Sequence, residues 1–405
     1  MTIDLDALYS EDARAFVPSA IRAMAHLLND PTVISFAAGA PNPETFPAEA
    51  LARAANEVLT TLPTRALQYD VTKGYLPLRE RVAARSVTKG IPTSAPETIL
   101  TTGSQQALDL ALHVLLDPGD VVLVEVPTYV GALVALAARR TRPVGVRRGA
   151  EGIDVDHLRS TVQRLRAEGA KVKALYSIPN FQNPSGLAMT KAAKDALALA
   201  VEELDLLLLE DDPYGEVRFD DAAPIDTTPL AARVPDQTIY FGSFSKTLAA
   251  GLRTGWLHGP APFLAKVELA KQATDLCSST FDAALLDRYL ASNDYEAHLT
   301  KVRAFYRGQK ETLLAAMTAH FPAALAFTNP AGGLFTWVEL PNGLDAKALL
   351  PKCVAQTRTA YVPGDAFVVE GDGRPFLRMT FAKESPENLV EGARRLGDFF
   401  RAEIG

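Results

Sequence analysis

The segment Tyr240-Phe241-Gly242-Ser243-Phe244-Ser245-Lys246 sets a lysine among small hydroxyl residues just after an apolar run. Arg253 follows in Gly251-Leu252-Arg253-Thr254-Gly255-Trp256. Two cations and two hydroxyls suit a phosphate, which takes charge-assisted hydrogen bonds. A lysine partly desolvated beside another cation loses proton affinity and becomes an amine nucleophile. Taken alone, the same residues could be an ordinary solvated Lys and Arg. Upstream, Leu206-Leu207-Leu208-Leu209-Glu210-Asp211-Asp212-Pro213-Tyr214 empties an apolar run into three consecutive carboxylates and a tyrosine. A carboxylate at the end of a strand can keep a pyridine nitrogen protonated, which makes the ring an electron sink, and a nearby phenol can hydrogen-bond a ring oxygen. A solvated acidic turn closed by Pro213 is the plain alternative.

Three further fragments are weak singly. Ile178-Pro179-Asn180-Phe181-Gln182-Asn183-Pro184-Ser185-Gly186 supplies amides beside a turn that Pro184 and Gly186 stiffen, with Asn183-Pro184 a candidate cis bond. Thr102-Gly103-Ser104-Gln105-Gln106-Ala107-Leu108 leads through glycine into a helix whose first amides would face an anion. Pro127-Thr128-Tyr129 offers an aromatic ring that could stack on a flat cofactor or simply pack at the surface. Each fragment follows a strand candidate, so together they provide an amine, a carboxylate, a phenol, a stacking ring and a phosphate cradle.

The elements that must position them follow an α/β rhythm. From about residue 75 to 260, short β-rich runs alternate with amphipathic stretches, which predicts a mostly parallel sheet covered by helices. The predicted strands are Thr98 to Thr102, Val121 to Val126, Val172 to Ile178, Leu206 to Glu210 and Thr238 to Phe241; predicted helices include Gln105 to Leu116 and Thr190 to Glu203. In open α/β sheets ligands gather beyond the carboxyl ends of the strands. Past residue 290 come long helical patterns, a strand over Gly333 to Glu339, and a final helix from near Ser385-Pro386, which predict a second, α+β domain. The expected division is an amino-terminal segment 1–48 packing with the small domain, a large domain 49–289 and a small domain 290–405.

Composition narrows the function classes. With 405 residues, 48% of them hydrophobic, the chain can bury a sizeable core without metal or disulfide staples. A formal net charge of -7 and the lack of a basic run argue against nucleic acid as a partner. Two cysteines, Cys277 and Cys353, suggest neither a disulfide framework nor a zinc site, so no metal is expected and a reducing cytoplasm fits. No basic start with an apolar stretch and no long apolar run point to secretion or a membrane.

In their order along nearly the whole chain, these fragments resemble the class I/II aminotransferases, fold-type I enzymes dependent on pyridoxal 5'-phosphate (PLP). The resemblance implies that Lys246 is the Schiff-base lysine and then the general base at the substrate Cα. It implies Asp211 as partner of the pyridine nitrogen, Tyr214 as the phenol, and Asn183 as the amide sharing the ring oxygen. Tyr129 becomes the stacking ring, and Ser104, Gln105, Ser243, Ser245 and Arg253 the phosphate ligands. Tyr69 in Leu67-Gln68-Tyr69-Asp70 is similar to the tyrosine that reaches a neighbouring subunit's phosphate, which implies a homodimer. Arg378 in Leu377-Arg378-Met379-Thr380-Phe381 is similar to the arginine that clamps the substrate α-carboxylate, and a guanidinium fork suits that task.

The segments Pro18-Ser19-Ala20-Ile21-Arg22-Ala23-Met24 and Ile34-Ser35-Phe36-Ala37-Ala38-Gly39-Ala40-Pro41-Asn42-Pro43 resemble the kynurenine/2-aminoadipate branch, in which this region covers the substrate. Gly39 would offer its backbone to the substrate and Arg22 would meet a distal carboxylate. Ser185 stands where the family commonly has threonine, which keeps the hydroxyl. The implied reaction moves the amino group of an aromatic, 2-aminoadipate or branched aliphatic L-amino acid to a 2-oxo acid such as 2-oxoglutarate by a ping-pong route. A PLP-dependent lyase or decarboxylase shares the same Lys, Asp and Tyr. A PLP-sensing DNA-binding regulator fits less well, because the resemblance starts near Pro18 and the acidic balance gives DNA little attraction.

Overall fold

A computed structural model describes residues 3–16, 18, 30–219, 225–341 and 343–404. Seven strands form the main sheet: β2 (Thr98–Thr101), β3 (Val121–Val126), β4 (Arg142–Arg147), β5 (Val172–Ser177), β6 (Leu207–Asp211), β7 (Thr238–Ser243) and β8 (Gly255–His258). β1 (Ile34–Ser35) lies apart from them. Their order is β2-β8-β7-β6-β5-β3-β4, parallel throughout except that β8 runs against both β2 and β7. Val121 to Val124 are fully buried, as a strand covered on both faces requires. The helices Ser104–Leu115 and Lys191–Glu203 supply apolar faces to the sheet through residues such as Leu110 and Leu197.

The strands and helices expected from the sequence are present within a residue or two at their ends. Two strands of the main sheet were not expected. β4, Arg142-Pro143-Val144-Gly145-Val146-Arg147, mixes charge, proline and glycine into its apolar positions; it lies at the sheet edge, where proline is tolerated. β8 is four residues long and antiparallel, so it falls outside the βαβ rhythm.

A second sheet is antiparallel, in the order β12 (Val362–Pro363), β13 (Phe376–Thr380), β10 (Phe335–Glu339), β9 (Ala326–Phe327). The helices Tyr295–His320 and Pro386–Ile404 pack on one another beside it, burying Leu313, Met317, Leu396 and Phe400. The amino-terminal strand β1 pairs in parallel with β11 (Thr359–Ala360), and Thr380 donates its backbone N–H to Phe36. Asn42 fastens the same segment: its N–H donates to the Tyr306 hydroxyl at 2.9 Å and its amide to the Ala382 carbonyl at 3.0 Å. Gly39 is thereby held over the edge of the main sheet, with space for no side chain, since a Cβ there would lie 2.8 Å from the Phe335 ring.

Candidate active site

The carboxyl ends of β5, β6 and β7 open into a cavity of about 260 Å³ whose far wall is the small sheet. The three consecutive carboxylates at the end of β6 all lie inside the protein, against the alternative of a solvated acidic turn. Strand alternation sends them to different partners. Glu210 accepts from the backbone N–H groups of Leu230 and Ala231, both at 2.8 Å. Asp212 accepts from the Tyr240 hydroxyl, the Asn180 amide and the Gly215 N–H. Asp211 alone lines the cavity. Its Oδ2 accepts from the Tyr176 hydroxyl at 2.8 Å, and its Oδ1 is buried without a partner among the described residues. Burial pushes the Asp211 carboxyl up to about 7; the Tyr176 hydrogen bond opposes that, Asp212 adds to it and Lys246 opposes it.

Lys246 follows β7 and donates its Nζ to the Gly39 carbonyl at 3.0 Å. Desolvation, reinforced by the Arg378 and Arg253 cations, lowers its ammonium to about 8, while Asp211 pulls the other way. Tyr214 stands edge-on to Phe335 with ring centroids 5.9 Å apart, and burial holds its phenol far above the ordinary range. Asn183 hydrogen-bonds this phenol and accepts from Arg378 Nη1 at 2.9 Å. Arg378 also donates Nη2 to the Ala37 carbonyl at 2.6 Å, and its guanidinium lies 4.3 Å from the centre of the Phe335 ring. Only 1% exposed and lowered to about 10 by burial, it stays cationic at neutral pH.

The turn carrying Asn183 is fixed from below. Gln182 donates to Glu125 at 3.0 Å and to the Pro127 carbonyl, and accepts from both the N–H and the hydroxyl of Ser185. Glu125 accepts in addition from the Ser177 hydroxyl and the Ile178 N–H, and pairs with buried Arg148 at 3.3 Å. The Asn183-Pro184 peptide is cis, as is Val126-Pro127.

At the other end of the cavity, Ser104 and Gln105 begin the helix after β2. Gly103 precedes them at φ 78° and ψ 166°, a conformation open essentially to glycine. A Cβ there would lie 2.5 Å from Arg253 Nη2, so glycine lets the guanidinium close over the helix start. Ser243 and Ser245 join their hydroxyls at 2.8 Å beside it, and Tyr129 lies 3.4 Å from Gln105 Oε1 through its own hydroxyl. Arg253, backbone amides and four hydroxyl or amide side chains thus make an end of the cavity suited to an anion, opposite the Asp211 oxygen that lacks a partner among the described residues.

Of the residues singled out from the sequence, twelve meet in this cavity: Gly39, Ser104, Gln105, Tyr129, Asn183, Asp211, Tyr214, Ser243, Ser245, Lys246, Arg253 and Arg378. Tyr69 does not; it is 73% exposed in a loop with Leu67 and Val71, which are exposed as well. Arg22 lies outside the described residues. Reading the sequence missed Phe335, Ile178, Pro213 and Ala250 in the lining and Tyr176 behind Asp211. Tyr176 carried a signal: a tyrosine inside an apolar strand needs an acceptor for its hydroxyl.

A flat aromatic carrying an anion at one end and an N–H at the other would satisfy both ends of this cavity, which defines a class of cofactor-dependent enzyme. Residues 31–396 match the family of class I and II aminotransferases. The chain belongs to that family, so it is a fold-type I, PLP-dependent aminotransferase. It is 38% identical over 406 residues to aromatic-amino-acid aminotransferase 1 of Thermococcus litoralis, covering 100% of this chain and 96% of that protein. It is also 38% identical to the 2-aminoadipate transaminase of Thermus thermophilus, over 96% of this chain and 95% of the other. The solved kynurenine aminotransferase of Pyrococcus horikoshii superposes with a TM-score of 0.94 at 36% identity, over 99% of each chain. The cavity fits PLP by its own chemistry, through the orphaned Asp211 Oδ1 and the cradle that a Cβ on Gly103 would fill. No helix among the described residues is long and apolar enough to cross a membrane.

Proposed function

We propose that the enzyme transfers the amino group of an aromatic, 2-aminoadipate or branched aliphatic L-amino acid to a 2-oxo acid, with 2-oxoglutarate as acceptor, in two ping-pong half-reactions. The observation that carries this reading is the meeting of Lys246, Asp211, Tyr214, Asn183 and Arg378 in one cavity. PLP, when bound, supplies the electron sink for the substrate Cα. Asp211 Oδ1 accepts from the ring N–H, Tyr214 and Asn183 hold the ring oxygen, and Tyr129 covers a face of the ring. Ser104, Gln105, Ser243, Ser245 and Arg253 hold the phosphate. Arg378 grips the α-carboxylate and, through Asn183, ties that grip to Tyr214. Lys246, with an ammonium near 8, is basic enough to take the Cα proton and acidic enough to return it near neutral pH.

Gly39 presents its backbone to the substrate, and Arg22 meets a distal carboxylate in dicarboxylic donors. The active unit is a homodimer in which Tyr69 completes a neighbour's phosphate site; the exposure of Leu67, Tyr69 and Val71 supports this. The division into 1–48, 49–289 and 290–405 is supported by the pairing of β1 with β11, which attaches the amino-terminal segment to the small sheet's side of the molecule. Free Cys277 and Cys353 accord with a reducing cytoplasm.

The test is an absorbance spectrum of the PLP-loaded protein before and after adding amino acids without any oxo acid. The pyridoxal form is expected to convert to the pyridoxamine form and return with 2-oxoglutarate, whereas Lys246→Ala should not turn over. Release of carbon dioxide or ammonia without a pyridoxamine form would instead indicate a decarboxylase or lyase.

A further inference from the structure

The two oxygens of Asp211 have unlike surroundings. Tyr176 reaches Oδ2 from the neighbouring strand: it is 1% exposed, sits opposite Leu209 in the β5–β6 register, and donates its hydroxyl at 2.8 Å. Oδ1 has no partner among the described residues and belongs to a residue lining the cavity. A carboxylate with one oxygen tied down cannot swing, so the tie decides which oxygen meets the cofactor. It also weakens the carboxylate as a base, because a hydrogen bond to the charged form favours that form.

We propose that Tyr176 is a positioning residue for Asp211, turning Oδ1 toward the PLP ring nitrogen and keeping the shared proton on that nitrogen rather than on the carboxylate. This rests on the reading of Asp211 as the ring-nitrogen partner. The other groups acting on Asp211 come from three directions. Asp212 follows it in the chain and raises its proton affinity, Lys246 from the loop after β7 lowers it, and Tyr214 lies beyond the end of β6. Tyr129 and Glu125 act on the Tyr176 phenol, and both hold it neutral, as a donor must be. Asp212 and Lys246 oppose one another, which leaves Tyr176 as the principal counter to burial. The phenol itself stays far from ionising, pushed up by burial and by Asp211.

The experiment loads PLP labelled with ¹⁵N at the ring nitrogen into the wild type, Tyr176→Phe and Asp211→Asn, and follows the ¹⁵N resonance from mildly acid to mildly alkaline pH. The wild type should hold the pyridinium position. In Tyr176→Phe the Asp211 carboxyl becomes a stronger base by roughly one to two pH units, the worth of a hydrogen bond to a charged acceptor, so the resonance should move toward neutral pyridine. The kcat should fall with little change in KM for the donor, a split that general loosening of the fold would not produce. Asp211→Asn should show neutral pyridine throughout. If Tyr176→Phe superposes on the wild type while Asp211→Asn loses the ring proton, the role of Tyr176 is wrong and that of Asp211 stands. If Asp211→Asn also superposes, the reading of Asp211 fails. Should Tyr176→Phe not fold, 4-aminophenylalanine at position 176 keeps the ring and weakens the donor. The resonance should then move part of the way from the pyridinium toward the neutral position, and a resonance unchanged from the wild type would overturn the proposal.

Discussion

Replacing Asp211 by asparagine should make the protein without cofactor more stable, and increasingly so as the pH rises. The folded environment lifts this carboxyl from 3.8 to about 7, chiefly by burial. A carboxyl raised in the folded state carries no penalty below its unfolded value, where it is protonated in both states. The penalty grows through the interval and is complete above about pH 7. Lifting the group that far corresponds to roughly 4 kcal/mol at the upper end of the window. An amide is neutral at every pH and can still accept from Tyr176, but it brings an NH2 group into a buried position with no acceptor provided for it, so about 2 kcal/mol is the expected net gain. The assay is urea unfolding of the apoprotein, followed by circular dichroism from about pH 5 to about pH 8. The advantage of the variant should widen with pH. Added PLP should reverse the ranking, because only the wild type offers an anionic partner to the ring nitrogen and ligand affinity adds directly to stability. A difference between variant and wild type that stays constant with pH would refute the reasoning.

Arg378→Lys should lower kcat/KM on the order of 100-fold for every donor, since one ammonium cannot hold Asn183, the Ala37 carbonyl and a substrate carboxylate as a fork does; steady-state kinetics with several donors reads this. Gly103→Ala should weaken PLP retention about tenfold or more, because the new Cβ meets both the Arg253 guanidinium and an unfavourable backbone region; equilibrium titration of the apoprotein measures it. Labelling of Lys246 in the apoprotein by an amine-reactive reagent, followed by mass spectrometry, should be half-maximal near pH 8 and fall below it as the ammonium forms. Arg148→Ala should cost about 3–5 kcal/mol in urea unfolding, since it strands a buried Glu125 charge, and Glu125→Gln in the same background should recover part of that loss.

The groups that touch the cavity were largely legible because their chemistry is local. A lysine after a strand, a carboxylate at a strand end and a glycine before a helix each announce themselves within a few residues. What stayed hidden depends on distant chain. Glu210 and Asp212 look like a solvated turn until backbone amides at Leu230 and Ala231, the Tyr240 hydroxyl and the Gly215 N–H are found against them. Phe335 reads as an ordinary strand residue, and only the register of β10 against β13 brings it under the Arg378 guanidinium. β4 was missed because its edge position tolerates the proline and charges that a periodicity search counts against a strand. Whether Tyr69 meets a neighbouring subunit is likewise a matter of assembly, and no local pattern encodes it.

The pairing of β1 with β11 also bears on how the protein is made. The backbone N–H of Ser35 is bonded to the Glu384 carboxylate, 349 residues away, and the next residues carry Gly39 to Lys246. The segment synthesised early therefore lacks a complete docking surface until almost the last part of the chain leaves the ribosome. Long-range contacts of this kind are the slow ones to form, because the intervening chain must be organised first. The large sheet can collapse during translation, but the roof over Lys246 can be set only near its end. A nascent chain should accordingly display a half-built, more open lysine pocket, accessible to small aldehydes before the amino-terminal segment has a place to settle.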